Sequence, residues 1–183
     1  VWRLADEAAQ VLDAGPGAAL PAQASGPVLI ANKDAVSQLR EGGANKVLAR
    51  GVSGVRAALL QRQRLLLGLA DGGLVAITLP SGKRASLPPL EDSPSSPVVR
   101  LVRGPVDGTL VIGFASGQVG LWDLATGDRL AHGRVHGPAV HLRLEKQRLH
   151  AVSELGDVLT WDLSAFYLSY EELLRRVKRQ VIR

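Results

Sequence analysis

Four histidines occur, His132, His136, His141 and His150. His132 and His136 stand four residues apart, a spacing that on a helix would aim two imidazoles at one metal ion. Here the residues between and after them, Gly133, Arg134, Val135 and Gly137, read as strand and turn, which separates the rings, and no Glu completes a His-Glu-x-x-His pattern. No metal ligand set is therefore assigned. Asp71-Gly72-Gly73 reads as a hairpin turn and not as a phosphate loop, because no helix follows it. Ser37, Ser53, Ser81 and Ser153 lie in no Gly-x-Ser-x-Gly context and near no His/Asp constellation. Cysteine is absent, which removes thiol nucleophiles, disulfides, Fe–S clusters and cysteine-based zinc sites. The paired carboxylates Glu91-Asp92 fall in the segment Pro88 to Pro97, which holds four prolines. That loop has two open readings, a binding element or a disordered insert. With no nucleophile–base pair and no cofactor motif, the expected function is non-catalytic.

The bulk properties narrow the class further. A chain of 183 residues can bury one sizeable core, and 46% hydrophobic with 21% charged residues is an ordinary globular balance. Methionine is absent and the first residue is Val1, so the expectation is a piece of a larger protein. The net charge is +5, but Ser164 to Arg183 alone carries five bases and two acids. The remainder has too weak a basic field to argue for nucleic acid. The longest uncharged apolar stretch, Leu65 to Ala70, falls far short of the ~20 residues of a membrane span. Arg3, Asp6 and Glu7 break any apolar leader, and the expected location is the cytoplasm.

An internal repeat organises the chain. Ala70 to Arg84 aligns with Ala115 to Arg129 at an offset of 45, keeping the turn glycine, the apolar pattern, a second glycine and the final arginine. Gly156 to Leu163 aligns with Gly117 to Leu124 at an offset of 39, and Val36 to Leu39 precedes Leu74 to Ile77 by 38. Periods near 40 suit a four-stranded propeller blade. Short apolar runs between glycine turns predict strands near 18–23, 27–32, 36–40 and 46–50, then 55–60, 64–70, 74–79 and 84–90. A third unit follows with Val98 to Val102, Leu110 to Ala115, Val119 to Leu124 and Arg129 to Val135. The last unit has only Val140 to Leu144, Arg148 to Ser153 and Val158 to Leu163. Trp2 to Leu4 and Ala9 to Ala14 read as the end of a blade whose start is absent. The expected fold is all-β: about three to four four-stranded blades over 1–163, then an amphipathic α-helix over 164–183. Either the N-terminal strand closes a ring of four, or other blades come from elsewhere. The second is the expectation, because four blades sit at the small end of the usual range. An open arc should also leave sheet edges and half an interior core exposed.

Gly117 to Gly127 resembles the third strand and following turn of a WD40 repeat, with Trp122-Asp123 recurring as Trp161-Asp162. His136-Gly137-Pro138-Ala139-Val140 is similar to the family's Gly-His region with the two residues swapped. The resemblance covers roughly 28–163 and implies a degenerate, bacterial-type propeller that serves as a scaffold or sensor binding protein partners. The alternative it implies is a regulatory propeller part of a protease- or NTPase-linked signalling or antiviral defence protein, whose other blades lie on another chain or fragment. The family's buried tetrad of His, Ser/Thr, Asp and Trp would be represented by His136, Ser153 and Trp161, with Leu155 where the turn aspartate belongs. Trp122 has Ser116 at the aspartate position, and Asp71 has Ile77 in place of tryptophan. Each network is therefore incomplete, and aliphatic packing should carry the blades.

The C-terminal helix is sharply written. Ser169 and Glu172 form a capping box, and Leu168 with Leu173 a hydrophobic staple. Tyr170, Leu173, Leu174, Val177 and Val181 make one stripe at helical period. Glu171 and Glu172 precede Arg175 and Arg176 by four, and Arg179 adds charge near the C-terminus. Three readings stay open: a tail packed on the last blade, a docking element for a partner, or a membrane-surface helix. Nucleic-acid binding through its bases is the remaining alternative.

Overall fold

The computed structural model describes residues 19–20, 29–31, 35–38, 46–79, 81–85, 87–88 and 90–181. They form fifteen strands in four antiparallel sheets, each in sequence order. Blade one holds β1 (Ala19–Leu20), β2 (Leu29–Ala31), β3 (Ala35–Gln38) and β4 (Lys46–Arg50). Blade two holds β5 (Val55–Gln61), β6 (Arg64–Leu69), β7 (Leu74–Thr78) and β8 (Lys83–Ala85). Blade three holds β9 (Val98–Arg103), β10 (Thr109–Phe114), β11 (Gln118–Asp123) and β12 (Arg129–Arg134). Blade four has three strands, β13 (His141–Glu145), β14 (Arg148–Val152) and β15 (Val158–Asp162). A 3₁₀ turn, Ser164–Tyr167, leads into helix α1 (Tyr170–Val181).

The arrangement is propeller-like. The first strand of blade three, β9, lies against both β5 and β13, so the leading strands sit together on the inside and the later ones fan outward. Successive side chains of a strand point to opposite faces, and in the middle blades each face feeds a different core. Leu66 and Ala76 point toward blade three and join Leu101, Leu110, Ile112, Phe114 and Trp122. Leu65, Leu67 and Ile77 point back toward blade one and join Leu29, Val36 and Leu48. Val102, Val111, Val119 and Leu121 point onward to Leu142, Leu149 and Ala151 of blade four. Burial on both faces is why Leu65-Leu66-Leu67 and Leu110 to Ile112 are unbroken apolar runs and not alternating ones.

The turns repeat as closely as the strands. Gly72, Gly117 and Gly156 occupy the same hairpin position with φ of 89°, 84° and 84°, a backbone state that disfavours a side chain. Gly120 is bare for a second reason: a Cβ there would overlap the Trp122 ring, which lies over its backbone. Trp122 meets Phe114 edge-on, with ring centroids 5.9 Å apart. The strand expected over 84–90 stops at Ala85, where the chain turns into the proline-rich segment. The strands expected at Trp2 to Leu4 and Ala9 to Ala14 lie outside the described residues. Among the described residues no helix is long and apolar enough to cross a membrane.

Packing at these positions predicts steep costs. Leu66→Ala, which empties a site between blades two and three, should lower stability by about 2–5 kcal/mol. Gly120→Ala, which pushes on the Trp122 ring, should lower it by about 1–3 kcal/mol. Urea unfolding followed by tryptophan fluorescence reads both.

Candidate interaction surface

The two Trp-Asp pairs diverge in what their rings do. Trp122 is buried, and its indole N–H donates to the Glu91 carbonyl at 3.0 Å. The acceptor comes from the proline-rich segment, not from a tetrad hydroxyl. The same segment is tied down at several other points. Glu91 N–H donates to the Gly127 carbonyl at 2.8 Å, and a Glu91 carboxylate oxygen accepts from Arg129 N–H at 3.1 Å. The Arg129 guanidinium reaches Asp92 at 2.8 Å. At the segment's other end Ala115 N–H donates to the Pro97 carbonyl at 2.8 Å and Ser116 N–H to Ser96 Oγ at 3.0 Å. A Cβ on Gly72 of blade two would strike the Pro94 carbonyl. The described part of this loop is thus an ordered strap across blades two and three and not a disordered insert.

Trp161 is only partly buried, and with Leu159 it covers Gly133 of blade three. It does not join His136 and Ser153 in a tetrad. The carboxylate assigned by resemblance to position 155 is supplied two residues later by Asp157. Its Oδ2 lies 2.9 Å from both the His136 backbone nitrogen and His136 Nδ1, while its own N–H donates to the buried Ser153 Oγ at 3.0 Å. The His136 side chain is 93% exposed, so the cluster is a surface turn lock. The hydrogen bonds from His136 hold the Asp157 carboxyl below the usual carboxylate range. Asp71 likewise works in a turn, accepting from Gly73 N–H at 2.8 Å. Asp123 accepts from Ala125 N–H at 2.7 Å, and Asp162 from Ser164 N–H at 2.8 Å. Each aspartate of a Trp-Asp pair therefore orders the chain that leaves its strand.

Blade four differs from the others on the face it turns away from blade three. The cross-strand neighbours Leu59, Leu66 and Ala76 of blade two correspond to Val102, Val111 and Leu121 of blade three. In blade four the same places hold Arg143, His150 and Thr160. The expected exposed half core is therefore not found at this end: the outer face is polar, as in the capping unit of a repeat array. The strand sequences carry the signal, since HLRLE, RLHAV and VLTWD alternate where blade three is continuously apolar.

The face is rich in cations. Arg143 pairs with Glu145 at 3.7 Å, and His150 Nδ1 lies 3.2 Å from Thr160 Oγ1. An open groove of about 840 Å³ runs past Glu145, Lys146, Arg148, His150, Asp162 and Tyr167. Between blades three and four the buried Arg100 guanidinium donates to the Val140 and Val99 carbonyls, and burial draws its pKa down to about 10. Burial, helped by Arg100, Arg143 and His150, lowers the pKa of His141. Among the described residues no group of three or more His, Asp or Glu could hold a metal ion.

Helix α1 completes this end of the molecule. Its capping box is formed: Glu172 Oε2 accepts from Ser169 N–H at 2.9 Å and from Ser169 Oγ at 2.7 Å. Arg175 reaches Glu171 at 3.6 Å. Tyr170 is 75% exposed, Leu173 40% and Leu174 39%, so the start of the apolar stripe is not covered by the last blade. The side chains of Val177, Arg179 and Val181 lie outside the described set, while Arg176 and Lys178 are solvent-exposed.

The fold and these surfaces define a propeller-like stack of four sheets with a polar end and a projecting helix. No family model and no curated protein matches the chain. Solved structures do match it. The computationally designed Ika4 protein aligns with a TM-score of 0.60 at 16% identity, over 88% of this chain and 94% of its own. A chain of the Mitotic Checkpoint Complex aligns with a TM-score of 0.62 at 17% identity, over 75% of this chain and 43% of its own. At such identities the likeness is one of fold.

Two measurements check the reading of blade four. Val111→His should cost about 2 kcal/mol or more, because it buries an imidazole between blades. The converse change His150→Val, on a solvated face, should stay within about 0.5 kcal/mol. Second, folding lowers the His141 pKa from the usual 6.5, so the unfolded chain binds more protons as pH falls. The stabilisation is present above pH 6.5 and is lost as pH drops through the folded-state value. His141→Asn should flatten that decline in urea titrations run between neutral and mildly acidic pH.

Proposed function

We propose that this chain is a non-catalytic protein-interaction module, a degenerate WD40-like propeller segment within a larger bacterial protein, and that α1 is its docking element. The observation that carries the reading is the exposure of Tyr170, Leu173 and Leu174 on a helix that is nevertheless formed and capped. Covering such a stripe contributes up to about 1.5–3 kcal/mol for a fully exposed large apolar side chain, and a proportionate share for one already partly covered. The rigid blades hold that helix at one end of the molecule, and no catalytic step is assigned to the chain. The polar outer face of blade four speaks against a further blade stacking there through an apolar core. The partner is therefore proposed as a protein with an apolar groove for α1, with acidic residues beside Arg176 and Lys178.

A photo-crosslinking residue at Tyr170 or Leu174, introduced into the chain in its native cells, should give a discrete adduct with a polypeptide. The same residue at Lys83 should not. Leu173→Asp with Leu174→Asp should remove the adduct, since the still-exposed part of two leucines amounts to about 1–2.5 kcal/mol, roughly tenfold or more in affinity, before the cost of burying two carboxylates. The melting of the blades should not change. A double variant that unfolds the blades, or that keeps the adduct, would show α1 to be a packed tail.

A further inference from the structure

The turn that joins the first two strands of blade two recurs in blade four. Gln61 pairs with Arg64 and Glu145 with Arg148, so Arg62-Gln63 and Lys146-Gln147 are two-residue hairpin loops. In each, the glutamine carbonyl accepts from the residue just past the blade's third strand, Leu79 N–H at 2.7 Å in blade two and Leu163 N–H at 2.7 Å in blade four. In each, the first loop residue is basic and has a positive φ, 48° at Arg62 and 54° at Lys146. Glycine or asparagine suits that backbone state better, so a long cationic side chain is kept there against the local preference. Both turns border a cavity, the groove of blade four described above and a smaller one between blades two and three.

The smaller cavity has the chemistry of an anion site. Its volume is about 440 Å³, within the range of small-molecule pockets. Leu66 and Leu124, both buried, give it an apolar floor. Three arginines line it, Arg62 and Arg64 from the β5–β6 turn and Arg103 from the end of β9. One carboxylate lines it too, that of Asp107, which lies 3.3 Å from the Arg62 guanidinium and links the turn of blade two to the turn of blade three. Among the described residues no acid pairs with Arg64 or Arg103. The wall also holds Gln61, whose Nε2 is buried and meets no acceptor. Donors and positive charge are therefore in excess. A guanidinium is a planar fork that matches a carboxylate or a phosphate and binds it through charge-assisted hydrogen bonds. Two such forks beside an apolar floor suit an anionic head on a small apolar body.

We infer that the cavity between blades two and three binds a small organic anion, with Arg64 and Arg103 holding its carboxylate or phosphate head and Leu66 and Leu124 its body. The cavity is formed without α1, so this site stands or falls apart from the docking proposed for the helix.

Calorimetric titration of the full chain with benzoate, phenyl phosphate and benzamide tests the assignment, since the three share one ring and differ in the head group. At least one of the two anions should bind one-to-one with a Kd of about 1 mM or lower, and neutral benzamide should not. Tighter binding of phenyl phosphate marks a phosphate ligand and tighter binding of benzoate a carboxylate, and either supports the site. Arg64→Gln and Arg103→Gln should each weaken binding about tenfold. Arg134→Gln, exposed on β12, should leave it unchanged. Asp107→Asn takes away the competing carboxylate and should tighten binding about two- to fivefold, a gain that a damaged fold could not produce. Failure of both anions to bind overturns the proposal, as does benzamide binding equal to theirs. An anion affinity that stays the same in Arg64→Gln and Arg103→Gln, or that does not rise in Asp107→Asn, overturns it as well.

Discussion

Everything in this molecule follows from one packing constraint: a small antiparallel sheet gains most of its stability by pressing a face against the next sheet. A blade in the middle must satisfy a neighbour on each side. Its strands therefore abandon the usual alternation of apolar and polar residues, and odd and even positions divide between two cores. Leu66 serves one and Leu65 with Leu67 the other. The small residues fit the same requirement. Gly68 lies against the Val98 side chain, and Gly133 lies beneath Trp161 and Leu159, so close approach between sheets is written as missing side chains.

Much of this was legible in the amino-acid order. The period near 40, the glycine turns and the short apolar runs placed all four strands of the first three units and the three of the last, because turn chemistry and strand alternation are local. The boundary near residue 85 moved because proline and the strap override an apolar pattern that would otherwise extend the strand. The Asp157 lock was missed because the resemblance directed attention to position 155, although Gly156-Asp157 repeats the Gly117-Gln118 turn. The strap was illegible for a different reason. Its partners, Trp122 and Arg129, are more than thirty residues away, and only the stacked fold brings them to Glu91. The polar end of blade four could have been read: Arg143, His150 and Thr160 stand where the preceding repeat has Val102, Val111 and Leu121.

The two candidate surfaces are sustained by different physics. Helix α1 has 12 residues, a length marginal for an isolated helix. It is carried by local terms, the Ser169–Glu172 capping box and the Glu171–Arg175 pair. That independence from tertiary packing lets it hold its shape while its apolar side stays open. Strand β15 is held from one side by β14 and by the burial of Leu163 beneath it. Among the described residues no strand pairs with its other side. The cations behind it, Arg143 and Arg148, make the terminal face electrically distinct from the largely apolar interfaces inside the stack.

The strap from Leu90 to Pro97 has a consequence for how the stack comes apart. In a linear array each unit is coupled to its neighbours only through the faces they share, so loss of order can creep inward from either end. The strap adds a second coupling between one particular pair. It belongs to the connection between blades two and three, yet it accepts from the Trp122 indole and Arg129 of blade three and lies over Gly72 of blade two. Neither blade can open without releasing it. The array is thereby divided into a fused central pair and two outer units that can fray singly, and the last region to lose order is the pair bound by the strap.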